Sequence, residues 1–243
     1  HTVKPNTTLN MTETPAGLDL AEASRILTHV DEETDFGERI ARISEHFLGR
    51  PYVEGSLGGG PDLPEALRVS LEAFDCVTYI EVVLALARTQ TTDEFVDAIR
   101  RIRYKNGKVD WFQRNHYMVD WTRNNEELGF IANLTTGPLT ADKTCTLDLI
   151  AGLPTKTTTF SYFPNPSLDA IVERVETGDL IFFVSTKTTL DVFHTGLLVK
   201  REGNPLLRHA TRTANAVIEQ NLSDFISKNI MAGFTLLRPL CQR

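Results

Sequence analysis

The sequence is poor in cysteine, with three in 243 residues, and the spacing of Cys76, Cys145 and Cys241 contains no CxxC pair. So few cysteines exclude a disulfide scaffold, and the missing pair removes the usual signature of a thiol-ligated metal or a redox dithiol. A bridge between Cys145 and Cys241 would leave Cys76 as a free thiol. The alternative is that both of those cysteines are unpaired.

Other signatures are missing as well. There is no HExxH and no glycine-rich phosphate loop followed by lysine, so we expect neither a metal ion nor a cofactor. No apolar run reaches the length of about 18 residues that a membrane span needs. Basic residues are outnumbered, 25 Lys and Arg against 32 Asp and Glu, which gives a formal net charge of −7. Such an acidic chain lacks the positive surface that binds nucleic acids.

What is present is an ordinary globular composition, 41% hydrophobic and 23% charged. The length suits one hydrophobic core. Residues 1–18 are polar and contain several threonines and two prolines, which is typical of an extended arm. We therefore predict an N-terminal arm over residues 1–18 and a single domain over residues 19–243.

Helical periodicity dominates the first half of the chain, and strand patterns dominate the last third. Helices are predicted over residues 20–30, 35–48, 76–88 and 92–104, with a short helix or turn over 64–73. Strands are predicted over residues 179–184, 191–200, 206–211 and 233–237, and 109–112 resembles a further strand. Helices followed by a meander predict an α+β fold with an antiparallel sheet, and residues 105–167 form an insertion between the two parts.

Cys76 is the central candidate for chemistry, because it starts a strong helical pattern. Asp75 is a favourable cap residue, so Cys76 falls in the first helical turn. Unpaired N–H groups and the helix dipole favour an anion there, which predicts a lowered thiol pKa and a nucleophilic thiolate. A lone cysteine in a helix is more often a small buried residue, and this alternative stands until the chain supplies a base.

Two histidines are candidates for that base. His194 begins one predicted strand and His209 ends the next, with a tight turn predicted at Gly203-Asn204. Antiparallel pairing then brings both imidazoles to one sheet edge. One would exchange protons with Cys76, and the other would orient it. Each histidine taken alone is more often an ordinary core or edge residue.

Two further groups are candidates for substrate contacts. Tyr52 lies on a glycine-rich loop and is predicted to approach Cys76, although the loop is equally typical of a plain surface connection. A mixed polar and aromatic stretch in the insertion suits a binding wall for a sugar or peptide, with core packing as the alternative. Its candidate residues are His116, Tyr117 and Trp121.

Five short blocks follow one another along the chain. They are Gly49-Arg50-Pro51-Tyr52, Phe74-Asp75-Cys76, Gly178-Asp179-Leu180-Ile181-Phe182-Phe183, His194-Thr195-Gly196-Leu197-Leu198 and His209-Ala210-Thr211. In this order they resemble the NlpC/P60 family of papain-like cysteine peptidases and amidases. Val77-Thr78 replaces that family's usual Ser-Gly, and the gap between Cys76 and Gly178 is long. These departures, together with the Arg-Asn-His-Tyr stretch in the insertion, make the sequence similar to the DUF1460 branch. That branch resembles N-acetylmuramoyl-L-alanine amidases.

The resemblance implies a papain-like core in which helices pack on an antiparallel sheet. It implies that Cys76 is the nucleophile, that His194 is the base and acid, and that His209 orients His194. Tyr52 would contact the substrate or the oxyanion. The insertion would shape a sugar pocket, with His116, Tyr117 and Trp121 as its candidate residues.

The implied function is a cysteine-dependent cell-wall amidase that hydrolyses the amide between N-acetylmuramic acid and L-Ala. The departures from the family pattern do not determine which amide bond is cut, so an endopeptidase cutting between D-Glu and a diamino acid is one alternative. A non-catalytic peptidoglycan-binding module is another. We expect a peptidoglycan or muropeptide substrate, no nucleic acid, no membrane span and a monomer. We also expect an exported protein of the periplasm or cell envelope whose signal peptide has been removed.

Overall fold

The computed structural model describes residues 14–30 and 35–241, so most of the predicted arm over residues 1–18 lies outside the described residues. Seven α-helices occur in the described part: α1 Leu20–His29, α2 Phe36–His46, α3 Cys76–Ala87, α4 Thr92–Arg103, α5 Met118–Glu127, α6 Leu168–Ile171 and α7 Leu222–Lys228. The four helices predicted from periodicity in the first half of the chain are all present.

The strands form one antiparallel sheet. They are β1 Ile131–Asn133, β2 Ala141–Leu147, β3 Lys156–Pro164, β4 Leu180–Val184, β5 Val192–Arg201, β6 Asn204–Thr211, β7 Ala216–Asn221 and β8 Gly233–Pro239. Their order is β2-β3-β8-β4-β5-β6-β7, with β1 also paired to β8. The predicted α+β class is confirmed. Within the ranges that the structure describes, no helix is long and apolar enough to cross a membrane.

Helices cover the central strands on both faces. Leu180 and Phe182 of β4 face the larger core, which contains α3, whereas Ile181 and Phe183 face a smaller core that contains α7. A strand covered on both sides buries successive residues, which explains why all of β4 is apolar. The sheet is therefore the middle layer, and residues on its two faces meet different helices.

The helix α3 lies at the centre of the larger core, and ten of its twelve residues are buried. Its one charged residue is Glu81, which pairs with Arg103 at 2.9 Å, both side chains being 2% exposed. The second oxygen of Glu81 accepts a hydrogen bond of 3.2 Å from Trp121 Nε1. A buried carboxylate is tolerated only when it is paired in this way. The pair therefore joins α3 to α4 and α5.

Breaking this buried pair should destabilise the whole domain. We expect Arg103→Leu to lower the free energy of unfolding by about 3–5 kcal/mol, because Glu81 is left as an unpaired buried charge. Urea denaturation measures this as a lower midpoint at an unchanged m-value. The matched control is Arg201→Leu, which removes an exposed pair with Glu38 and should cost less than about 1 kcal/mol. Equal effects of the two variants would contradict the role given to the buried pair.

Residues 105–167, the predicted insertion, extend the sheet as well as covering the core. β2 and β3 form a hairpin, and β3 joins the central sheet through β8. β1 pairs with the other end of β8. Because β8 also pairs with β4, the insertion is fixed directly to the strands of the last third.

The strand predicted over residues 109–112 is absent, and residues 64–73, predicted as a short helix or turn, contain no helix; short polar side chains are the reason in both cases. Residues 109–112 form no strand, because the Asp110 carboxylate accepts the Phe112 amide at 2.9 Å and a 3₁₀ turn Trp111–Gln113 follows. Residues 64–73 form no helix, since the Ser70 hydroxyl accepts two nearby backbone amides. Such local hydrogen bonds compete with regular secondary structure.

Candidate active site

Cys76 is the first residue of α3, and the cap before it fixes its position. The Asp75 carboxylate accepts the amides of Val77 at 3.0 Å and Thr78 at 2.7 Å, and the Thr78 hydroxyl accepts the Asp75 amide at 3.0 Å. This reciprocal arrangement is a capping box. The carbonyl oxygen of Cys76 accepts a 2.8 Å hydrogen bond from the Thr195 hydroxyl, which ties the start of α3 to β5.

The surroundings of Cys76 keep its thiol protonated at neutral pH. Burial raises the pKa of Cys76 to about 11, and the charge of Asp75 acts in the same direction. Hydrogen bonds from Thr195 and from its own amide lower the pKa only in part. The predicted lowering of the thiol pKa is therefore wrong, because desolvation and the capping carboxylate outweigh the helix terminus. The thiol needs a base before it can attack.

All three cysteines are free thiols. Cys145 is buried on β2, whereas Cys241 is exposed. Cys145 and Cys241 are thus unpaired, and the alternative of a disulfide bridge between them is wrong. Cys76 is half-buried and is the only one of the three at a helix start.

His194 and His209 meet as the strand pattern predicted. The turn between β5 and β6 is Glu202-Gly203, one residue earlier than predicted, and both residues have positive φ. Nε2 of His194 and Nδ1 of His209 are 2.6 Å apart and share a hydrogen bond. Nδ1 of His194 is the nitrogen not used in this pair.

Gly196 makes room for the pair. The register places Leu197 opposite Arg208, so Gly196 lies across from His209. A Cβ at Gly196 would come within 3.2 Å of the His209 Cβ and 3.0 Å of the Arg208 carbonyl oxygen. A larger residue would therefore displace His209, which gives the His-x-Gly block a physical reason.

Phe183 and Phe225 enclose the two imidazoles. The His194 ring stacks on Phe183 at a centroid distance of 6.0 Å and on Phe225 at 5.4 Å, and the His209 ring meets Phe225 edge-on at 5.3 Å. Burial lowers the pKa of His194 to about 3, with the neighbouring His209 adding to the shift, and lowers the pKa of His209 to about 4. Both imidazoles are therefore neutral at pH 7.

A β-bulge precedes His194. Phe183 pairs with His194, but the next residue of β4, Val184, pairs with Val192, so Phe193 is an extra residue in β5. Bulges of this kind often lie beside active sites, where they redirect a side chain. Here Val192 packs against the larger core, whereas His194 packs on the α7 side.

Thr195 links Cys76 to the histidine pair. Its side chain contacts the start of α3, while the adjacent His194 points to the aromatic residues on the other side. Within residues 14–30 and 35–241, no direct hydrogen bond joins Cys76 to His194. The two candidates are thus neighbours through one strand residue.

Tyr52 lies beside Cys76, as predicted. It forms an isolated parallel bridge with Phe74, and its amide donates to the Asn215 carbonyl at 3.1 Å. Burial raises the pKa of Tyr52, and the nearby charge of Cys76 adds to the shift. The phenol is therefore a proton donor at neutral pH.

The three insertion candidates do not join this group in the structure. Trp121 is fully buried, donates to Glu81 and packs edge-on against Phe182 at 5.5 Å, so its predicted role in a pocket wall is wrong. Tyr117 is 5% exposed, and its hydroxyl accepts the Ile150 amide at 3.3 Å. Tyr117 is therefore also buried in the core and does not form a pocket wall. His116 is half-buried, with Nε2 2.8 Å from the Trp111 carbonyl oxygen.

Sequence reasoning missed several residues that shape the site. Thr195 and Gly196 belong to the block that begins at His194, so the sequence pattern already pointed to these two residues. Phe225 had no such signal, because its place over both histidines depends on how α7 folds back across β5 and β6. Arg212, which lowers the pKa of Tyr52, follows β6 and carried no pattern.

Comparison with known proteins agrees with this geometry. The family described as AmiA-like, N-acetylmuramoyl-L-alanine amidase-like, matches residues 42–234. The chain belongs to this amidase-like family. The match includes every catalytic candidate named above. The resemblance drawn from the five sequence blocks is confirmed.

Solved structures from two bacteria are similar to this chain over most of their length. A DUF1460 protein from Legionella pneumophila has a TM-score of 0.80 at 22% identity, covering 92% of this chain and 96% of that one. An N-acetylmuramoyl-L-alanine amidase from Bacteroides uniformis has a TM-score of 0.76 at 26% identity, covering 84% and 98%. No curated protein sequence matches the chain. The first likeness establishes the fold, and family membership establishes amidase-like hydrolase chemistry.

The aromatic enclosure generates a prediction about proton binding. We expect imidazole NMR titration to give pKa values well below 6.5 for His194 and His209, because burial disfavours the charged form. Phe225→Ala admits water to both rings and should raise both pKa values towards 6.5. Phe112→Ala is the control, since Phe112 is 51% exposed and contacts neither histidine. Ordinary titration near pH 6.5 in the unmodified protein would contradict this environment.

Proposed function

We propose that this protein is a cysteine amidohydrolase acting on peptidoglycan, with Cys76, His194 and His209 as its catalytic triad. The observation that carries this proposal is the 2.6 Å contact between the two histidines, one residue from the threonine that holds the start of the cysteine helix. Membership of the amidase-like family supports hydrolysis of a peptidoglycan amide. The mechanism requires no cofactor.

The first step starts from neutral partners. Since the pKa of Cys76 is raised to about 11 and that of His194 is lowered to about 3, thiol and imidazole are both uncharged at neutral pH. As the sulfur attacks the amide carbon, its proton moves to Nδ1 of His194, and a tetrahedral oxyanion forms. The His194 ring packs on the α7 side, so this transfer requires the imidazole to approach the thiol when substrate binds, and catalytic hydrogen bonds often tighten only at that stage.

His209 acts through His194. With Nε2 of His194 held at 2.6 Å, the imidazole keeps one tautomer and one orientation. The lone pair of a neutral His209 also stabilises the imidazolium that forms on His194, as the third member of a serine triad does. Because His209 carries no full charge, it offers less stabilisation than a carboxylate would.

The oxyanion has two candidate donors. Of the first amides of α3, those of Val77 and Thr78 are already used by Asp75, which leaves the Cys76 N–H available next to its own sulfur. The Tyr52 hydroxyl, protonated at neutral pH, is the second. Donors fixed before the reaction stabilise developing charge without reorganisation.

The second half of the reaction releases both products. His194 gives its proton to the amine nitrogen as the carbon–nitrogen bond breaks, and the acyl group remains on Cys76 as a thioester. Water then attacks the thioester carbon while His194 accepts its proton, and His194 returns that proton to the Cys76 sulfur as the carbon–sulfur bond breaks. The products are a carboxylate and an amine, and the thiol is restored.

The bond that we propose is the amide between the lactyl group of N-acetylmuramic acid and L-Ala. The family description and the name of the similar Bacteroides uniformis protein support this choice. The acyl group on Cys76 would then be the muramoyl side, and the peptide would leave as the amine. Action on cell-wall material also favours a location outside the cytoplasm. An endopeptidase cutting between D-Glu and a diamino acid, and a non-catalytic binding module, are the alternatives that experiment must exclude.

The triad is tested by substitution. We expect Cys76→Ala to reduce release of peptide from a defined muropeptide to the uncatalysed rate, and His209→Ala to lower kcat about 100-fold. Cys241→Ala is the matched control, because this exposed thiol lies at the other end of the chain. Circular dichroism and urea midpoints check that each variant folds. Full activity in Cys76→Ala would eliminate the thiol mechanism.

The bond is tested by product analysis in ¹⁸O-labelled water. With N-acetylmuramoyl-L-Ala-D-Glu-diamino acid as substrate, the amidase should yield free tripeptide and N-acetylmuramic acid labelled in its lactyl carboxylate. Mass spectrometry identifies both products. Release of the diamino acid with a labelled D-Glu carboxylate would instead indicate the endopeptidase, and binding without turnover would indicate the binding module.

A further inference from the structure

Arg212 is an exposed cation beside the candidate nucleophile. It is the first residue after β6, and its guanidinium lies near enough to Tyr52 to lower the pKa of the phenol. The same Tyr52 lies near Cys76, whose charge in the ionised form would raise the pKa of the phenol. Tyr52 thus lies near both the guanidinium and the sulfur.

The backbone holds this arrangement in place. Tyr52 and its preceding residues run along the turn after β6: the Tyr52 amide donates to the Asn215 carbonyl at 3.1 Å, and Pro51 bridges to Ala216. On its other side, Tyr52 bridges to Phe74, two residues before Cys76. The loop of Tyr52 therefore joins the turn of Arg212 to the start of α3.

Glu54 is the partner of Arg212 in this structure. The Arg212 guanidinium donates to a carboxylate oxygen of Glu54, and the two side chains are 69% and 67% exposed. An ion pair this exposed contributes about 0–1 kcal/mol, so another carboxylate can replace Glu54 at little cost. A guanidinium binds carboxylates through two parallel hydrogen bonds, which makes the exchange specific.

We propose that Arg212 binds a carboxylate on the peptide side of the scissile amide, with Glu54 as the carboxylate that it releases. This inference rests on the proposed amidase function. The muramoyl side has no carboxylate while its lactyl group is in amide linkage, so the bound carboxylate belongs to the peptide. In L-Ala-D-Glu linked onward through its side chain, the free α-carboxylate of D-Glu lies two residues from the scissile nitrogen, about 7 Å in extended chain. That span suits a guanidinium near the tyrosine that lies beside Cys76.

The test uses two substrates that differ only at this group. N-acetylmuramoyl-L-Ala-D-Glu with its γ-carboxyl blocked as a methylamide carries the α-carboxylate as its one free carboxylate, and its α-carboxamide counterpart carries none. We expect the unmodified protein to have a KM about tenfold lower for the carboxylate, with similar kcat for both. Arg212→Gln should raise KM for the carboxylate about tenfold and leave the carboxamide unchanged, which removes the preference. Arg212→Lys should retain part of it.

Two further variants complete the design. Glu54→Gln should lower KM for the carboxylate substrate, because the competing carboxylate is gone. Arg201→Gln is the matched control, since it removes another exposed arginine pair, with Glu38. Equal KM values for the two substrates in the unmodified protein would overturn the inference, as would equal loss on both substrates in Arg212→Gln. Cleavage of neither substrate by the unmodified protein would instead overturn the proposed function itself.

Discussion

The site depends first on the cap of α3. Asp75 holds the amides of Val77 and Thr78, and this fixes which residue begins the helix. A helix that began one residue later would turn Cys76 away from β5 and break its contact with Thr195. The same carboxylate raises the pKa of the thiol, so the interaction that positions the nucleophile also makes it less reactive at rest.

The raised pKa of the Cys76 thiol explains why both histidines matter in the proposed mechanism. In the mechanism that we propose, a protonated thiol needs a neutral base, and the enclosure by Phe183 and Phe225 keeps His194 neutral. Burial keeps His194 uncharged, and His209 fixes its orientation without adding a negative charge. In the proposed mechanism, thiol and imidazole are therefore both neutral, and charge separates only when the substrate carbonyl is present.

The sequence predicted the elements of this site better than their electrostatics. Periodicity and capping located α3, and strand pairing brought His194 and His209 together, because both signals depend on neighbours along the chain or across one hairpin. The pKa of Cys76 could not be predicted, since it depends on burial by packed elements. The prediction for Trp121 was wrong for a related reason. The sequence around an aromatic residue in a polar stretch does not show whether that residue lines a pocket or packs in the core.

The burial of Trp121 changes where substrate selectivity can arise. Through Glu81 it is part of the core around α3, so it cannot contact a ligand without disrupting that core. The insertion instead contacts the chain just before β5, the strand that carries His194. Asp191, the residue before β5, is 1% exposed and accepts the Val119 amide at the start of α5, at 2.9 Å.

That contact fixes the insertion to the chain just ahead of the bulge that directs His194. α5 is thus linked through Asp191 to the strand that carries His194. If the proposed function is correct, contacts with the peptide come from groups that reach solvent beside Cys76. In the described chain, Tyr52 and the turn that carries Arg212 meet that condition together. The proposal thus places the catalytic histidines on the strand that the insertion fixes, and the peptide contacts on the separate turn that carries Arg212.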